Sequence, residues 1–283
     1  MKKTVIITGA NGGIGQALTR QMSRAGFRVI MACRNIPASK PVYETIRREQ
    51  GCHDIELLPL DLASFKSVHR FTQLLHCRQE PIHALINNAG IMPPNFLPTE
   101  DNLELATQVN YVSPWLLTRL LLPLLNASGS GIVVNTCSCT YRLGKINASF
   151  LLPSPASFHR FKTYGNSKLA LLLFTRELSH RIAGQNIKVY AVDPGVVDTG
   201  ILTMHQWYDS LADILFRPFT RKPEKGAATQ TWLTQEAHRL DIPQGYYKDC
   251  KAIHLPEKFI SPVQQEKLWN STEVCVKKYL NFK

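Results

Sequence analysis

Thr4-Val5-Ile6-Ile7-Thr8-Gly9-Ala10-Asn11-Gly12-Gly13-Ile14-Gly15 is the stretch on which the fold turns. Its first five residues are all β-branched and uncharged, the composition of a strand buried on both faces. The glycine-rich run follows at once, and residues 16–25 then show a helical apolar pattern. In a strand, glycine turn and helix of this kind, Gly9 takes the tight turn and Gly13 lets backbone come close to a bound group. Gly15 lets helix and strand pack closely, and the helix N-terminus offers unpaired N–H donors. The turn is therefore a cradle for an anion. Its spacing is G-x-x-x-G-x-G, distinct from the general dinucleotide pattern G-x-G-x-x-G.

Working outward, short β-branched runs recur at residues 28–33, 55–60, 83–87, 131–137 and 187–192, with helix-length segments between them. Several are continuously apolar and not alternating, as in strands covered on both faces. The pattern predicts a doubly wound parallel α/β sheet, a Rossmann fold, occupying the chain 1–283 as one domain. Two stretches depart from it. Residues 143–162 are rich in Ser, Pro and Phe and read as a long loop, the kind that carries function. Residues 200–222 hold Ile201, Leu202, Met204, Trp207, Tyr208, Leu211, Ile214, Leu215 and Phe216 in a near-helical stripe, either core packing or a lid over a substrate.

The 283 residues hold 33 Lys and Arg against 21 Asp and Glu, a formal charge of +12. The cations are scattered, without the aromatic-interleaved stripe of a nucleic-acid footprint, so nucleic acid is excluded as a partner. Seven cysteines lack Cys-x-x-Cys spacing, which argues against a metal site and for reduced thiols in a cytoplasmic protein. The apolar run at the start ends at Ile7, too short for a signal peptide, and residues 115–125, interrupted by Arg119 and Pro123, fall short of the roughly twenty needed for a membrane span.

The end of the second strand selects a cofactor. An acid there would bond a free ribose 2′-hydroxyl and repel a 2′-phosphate, but the strand ends Ala32-Cys33-Arg34-Asn35. Arg34 offers a planar guanidinium to a phosphate, so NADP(H) is favoured over NAD(H); the structural alternative is a solvated arginine. Asp61 follows the third strand, where it either meets an adenine edge or caps the next helix.

Tyr164 and Lys168 stand at i and i+4 ahead of a helical pattern over residues 169–178, so both emerge on one face. A nearby cation favours the phenolate and brings a tyrosine, about pKa 10 when free, nearer to use as an acid or base. Ser138, at the end of the fifth strand, delivers a hydroxyl to the sheet edge where α/β folds bind ligands. Asn87-Asn88-Ala89-Gly90 is small and polar enough for close backbone approach. Asn110, within the helix-like residues 104–122, reads by itself as a surface residue that tertiary structure can turn inward.

In this order and spacing the motifs resemble the short-chain dehydrogenase/reductase family, over essentially the whole chain. The resemblance implies that Tyr164 is the catalytic acid/base, that Lys168 lowers its pKa and binds a ribose, that Ser138 positions the substrate oxygen, and that Asn110 anchors a water in a proton relay. It implies cofactor contacts from Gly9, Asn11, Gly13, Ile14, Gly15, Arg34, Asp61, Leu62, Asn88, Ala89, Gly90, Tyr164, Lys168, Pro194, Gly195, Val197 and Thr199. Ala32-Cys33-Arg34-Asn35, the long spacer from Ser138 to Tyr164, residues 190–197 and residues 245–250 are most similar to the retinol-dehydrogenase-like, NADP-dependent branch. Members of that branch often carry an N-terminal anchor; this chain starts at its first strand, which implies a soluble location.

One departure is Cys137, where the family usually has serine. Strand alternation turns Cys137 away from Ser138, and Cys139 is expected to be buried and inert. The expected activity is interconversion of a small hydrophobic alcohol with its aldehyde or ketone, with homo-oligomerisation left open. The alternative is a non-catalytic NADP(H)-binding regulator, against which an intact Ser138, Tyr164 and Lys168 argue.

Overall fold

Six runs of uncharged, β-branched sequence become six parallel strands because each can be covered from both sides. A computed structural model describes residues 2–152, 154–197, 221–236 and 245–280. The strands are β1 (Thr4–Thr8), β2 (Arg28–Cys33), β3 (Ile55–Pro59), β4 (Ala84–Asn87), β5 (Gly131–Thr136) and β6 (Ile187–Val192), all within a residue of the expected bounds. β7 (Tyr246–Lys248) continues the parallel sheet, and β8 (Lys251–Ile253) returns antiparallel to it. The order is β3-β2-β1-β4-β5-β6-β7-β8, so the winding reverses between β1 and β4. At such a switch point the crossover helices diverge and leave a crevice over the strand ends.

Neighbouring residues of one strand feed opposite layers. Val5 and Ile7 pack with α1 (Gly13–Arg24), α2 (Ile36–Arg48) and α7 (Pro223–Glu236). Ile6 faces the other layer, which holds α3 (Phe65–Arg78), α5 (Ser113–Ala127), α6 (Arg160–Arg181) and α8 (Pro262–Val276). Trp269 of α8 meets Trp115 of α5 at 5.0 Å and Phe174 of α6 at 6.0 Å, tying α8 to the layer of α5 and α6.

Three expectations are corrected. The pattern over 104–122 is not one helix: a single turn, α4 (Leu105–Thr107), passes into a π-helical turn (Gln108–Val112) before α5. Asp61 does not cap α3. Ser64 does, accepting from Ser67 N at 3.3 Å, while Asp61 Oδ1 takes Ala63 N at 2.9 Å. The irregular stretch predicted at 143–162 ends earlier, because α6 starts at Arg160 and a 3₁₀ turn (Pro155–Ser157) interrupts the loop. Most of the stretch predicted as a lid, residues 200–220, lies outside the described residues.

Candidate active site

The glycine turn closes because Gly15 lacks a side chain: a Cβ there would stand 2.2 Å from the Gly9 carbonyl oxygen. Gly9 has φ +62, a left-handed conformation that favours glycine. α1 begins one turn earlier than its apolar pattern, at Gly13. The N–H groups of Gly13, Ile14 and Gly15 precede the first intrahelical bond, Gln16 N to Gly12 O at 2.8 Å, and no side chain caps them. With no acid in that first turn, the positive end of α1 is suited to an anion.

A cleft of about 680 Å³ opens along this edge. Gly9, Asn11, Gly13, Ile14 and Gly15 line it from the first turn, Arg34 from β2, Asp61 and Leu62 after β3, and Asn88, Ala89 and Gly90 after β4. The β4 turn is clamped to β1: the Asn88 and Ala89 N–H groups both donate to Thr8 Oγ1 at 3.0 Å, and Asn88 Nδ2 donates to Thr8 O at 2.9 Å. Arg34 is exposed at the cleft edge and makes no ion pair among the described residues. Sequence reasoning missed the apolar continuation of the wall, Ile91, Met92, Pro93, Pro94, Leu105 and Val109. The signal for four of these six was the run Ile91-Met92-Pro93-Pro94 directly after the small polar turn.

The chemical groups gather beyond that wall. β5 stops at Thr136, and Ser138 opens a 3₁₀ turn (Cys139–Leu143), its Oγ accepting from Thr140 N at 3.3 Å. Tyr164 and Lys168 project from successive turns of α6. Lys168 Nζ donates to Thr136 O at 2.8 Å and lies 5.5 Å from the centre of the Tyr164 ring. Asn110 is buried, against the surface reading of the residue alone, because the π turn rotates it inward. Its Oδ1 accepts from Ile91 N at 2.8 Å, and its Nδ2 donates to Ile91 O at 2.9 Å and to Ser167 Oγ at 3.0 Å. Ser167 Oγ donates in turn to the Tyr164 carbonyl at 2.7 Å. Gly90 joins the two halves: a Cβ there would be 3.3 Å from Lys168 Nζ and 3.5 Å from Asn110 Oδ1.

Burial governs the charges. It pushes the Lys168 ammonium down to about 8, with Cys137 opposing, and the Cys137 thiol up to about 12. The expected lowering of the Tyr164 pKa by Lys168 is not found: the phenol is raised, by burial first and then by Cys137, Cys139 and Asp193, and only the Ser138 hydroxyl works against this. In this arrangement the phenol therefore keeps its proton at neutral pH, the state of a proton donor. Cys137 is buried, and Cys139, expected to be buried, is exposed. The strand has ended three residues before it, so alternation no longer sets its direction.

Of the remaining candidates, Pro194, Gly195 and Val197 follow β6 and do not line the cleft. Gly195, at φ +78, donates its N–H to Asp193 Oδ1 at 2.9 Å. Val197 packs on α7, where a Cβ on Gly226 would stand 2.7 Å from Val197 Cγ2 and 3.4 Å from Ile14 Cγ1. The turn after β6 thus reaches α1 through Gly226. Thr199 lies outside the described residues.

The family model for short chain dehydrogenases matches residues 3–206. Human retinol dehydrogenase 14 is 36% identical over 97% of this chain and 86% of its own length. Mouse retinol dehydrogenase 12 is 36% identical over 95% of this chain and 84% of its own. Among solved structures, a Mycobacterium paratuberculosis protein superposes with a TM-score of 0.77 at 27% identity, covering 97% of this chain and 93% of that one. The Pseudomonas aeruginosa RhlG/NADP active-site complex gives 0.67 at 25% identity, covering 87% and 94%. The order of strands, the glycine turn and the matched residues agree, and the chain belongs to the short-chain dehydrogenase family of oxidoreductases.

Proposed function

We propose that this protein is an NADP(H)-dependent alcohol dehydrogenase or carbonyl reductase that interconverts an apolar alcohol with its aldehyde or ketone. The observation that carries the reading is the convergence of Tyr164, Lys168, Asn110 and Ser138 at the strand ends, against the Gly90 wall of the cleft.

The residues present fit the cofactor. The uncapped first turn of α1 suits a pyrophosphate. Arg34, unpaired among the described residues, suits a 2′-phosphate. No acid stands at the end of β2 to repel that phosphate. When bound, the nicotinamide supplies or accepts the hydride. The chain's own groups do the rest. Ser138 and Tyr164 hold the substrate oxygen, and Tyr164, protonated at neutral pH, gives its proton as the carbonyl is reduced. Lys168 anchors the ribose and, through Thr136 O, the end of β5. Asn110 and Ser167 fix the depth of the helix carrying the acid.

The apolar wall of Ile91, Met92, Leu105 and Val109 favours a hydrophobic substrate, and the relatives named as retinol dehydrogenases point to the same class. Seven free thiols, two of them exposed, favour a reducing compartment such as the cytoplasm. The test is consumption of NADPH and of NADH, followed by absorbance, with apolar aldehydes and ketones, retinaldehyde among them. Turnover preferring NADPH supports the reading. Tight NADPH binding without turnover of any carbonyl favours a regulatory role.

A further inference from the structure

Between Glu104 and Glu177 the chain contains no Asp or Glu. Much of the exposed part of this acid-free run lies around the start of α6. Arg142, Leu143 and Lys145 are exposed at one end of the loop, and Phe161 and Lys162 at the other. The two ends meet. A Cβ on Gly165 would lie 3.2 Å from Leu143 Cβ, one on Gly144 would lie 2.6 Å from Gly165 O, and Lys145 N donates to Asn166 Oδ1 at 2.8 Å. The cations and apolar tips thus flank the turn that carries Tyr164.

Large apolar side chains stand in water here. Leu152 is 77% exposed, Leu143 57% and Phe161 47%. Phe158 meets Phe96 edge-on at 6.1 Å, which brings the neighbouring loop, with Leu97 47% exposed, alongside. Apolar tips among cations that make no ion pair among the described residues, next to the positive end of a long helix, match an anionic, apolar-cored surface. The adjoining turn, whose Phe259 packs on Tyr141, carries Glu257 with Lys258 directly after it.

We infer that this face docks on an anionic lipid bilayer, with Arg142, Lys145 and Lys162 at the headgroups and Leu143, Leu152 and Phe161 entering the interface. Docked in this way, the turn that carries Tyr164 faces the bilayer, so an apolar substrate is delivered from the lipid phase. That route rests on the substrate class proposed above; the docking itself does not.

Co-sedimentation of the full chain with vesicles tests it, comparing phosphatidylcholine alone with a mixture holding about one third phosphatidylserine. Wild type should pellet with the anionic vesicles and be released by salt. The triple variant Arg142→Glu, Lys145→Glu, Lys162→Glu should lose binding about tenfold or more. An equal change of charge on α2, Lys40→Glu, Arg47→Glu, Arg48→Glu, should cost less than about threefold. Leu152→Ser, a milder variant should the triple not fold, should weaken binding severalfold at unchanged charge. Equal losses in the two triples would place the effect on net charge and overturn the assignment. So would capture by polyglutamate without any binding to vesicles, which would put an acidic polypeptide on this face. Turnover of a water-soluble carbonyl reads the catalytic proposal separately: a chain that binds vesicles in this pattern but reduces nothing keeps the docking face and loses the activity.

Discussion

The Asn110 amide nitrogen donates to the Ser167 hydroxyl at 3.0 Å, joining segments 57 residues apart. One partner sits in a π-helical turn and the other between Tyr164 and Lys168 on α6, so this bond sets where the reacting groups stand relative to the Gly90–Ile91 wall. Asn110→Ala removes it together with both bonds to Ile91, leaving a part-buried N–H and C=O without those partners, at a cost of up to about 1–3 kcal/mol each. We expect kcat to fall about ten- to a hundredfold and the melting temperature to drop by several degrees. Unchanged kcat in a folded variant would reduce Asn110 to a packing residue.

Lys168 gives a pH dependence whose sign follows from burial. Its pKa is about 8 in the folded protein against 10.5 for the free side chain. Below pH about 8 both states carry the charge, and burying it is a fixed cost. Between about 8 and 10 the folded protein releases the proton while the unfolded chain keeps it, so this group's contribution to stability rises with pH. In urea titrations, the stability of wild type relative to Lys168→Met should therefore increase by on the order of 2 kcal/mol from about pH 7.5 to 10. A flat difference would mean that the ammonium stays charged in the fold.

Arg34 offers its guanidinium at the cleft edge without an ionic partner among the described residues. Arg34→Asp exchanges a charge-assisted contact for repulsion, so NADPH affinity should fall about a hundredfold, measured by fluorescence titration, while NADH affinity changes less than about threefold. An unchanged ratio of the two would remove Arg34 from cofactor choice.

Tyr246 on β7 is buried, and its hydroxyl has no partner among the described residues, while its ring sits edge-on to Tyr141 at 5.4 Å. Tyr246→Phe keeps the ring contact and deletes the unpaired group, so urea denaturation should show stability unchanged or raised by about 1 kcal/mol. A clear loss would reveal a partner for that hydroxyl.

The six central strands were legible because burial on both faces writes a continuous apolar run, and the glycine turn because Gly9 and Gly15 meet a steric demand that no other residue satisfies. The β7–β8 hairpin was not. β8 is exposed throughout, and its two-residue turn puts Asp249 and Cys250 at φ 51 and 58, where a glycine in place of the cysteine would have announced it. The π turn was hidden for another reason. One extra residue per turn leaves the apolar composition of residues 104–122 intact and changes only which side Asn110 faces. The exposure of Cys139 depended on where β5 stopped, and strand ends are the least determined feature of an apolar run.

The account rests on Tyr164 as the group that exchanges a proton with substrate. Its most direct test is Tyr164→Phe, measured for NADPH-dependent carbonyl turnover and, separately, for NADPH binding. The account predicts turnover reduced about a thousandfold or more with the Kd for NADPH within about threefold of wild type. Turnover retained, or lost only in step with cofactor binding, would contradict it.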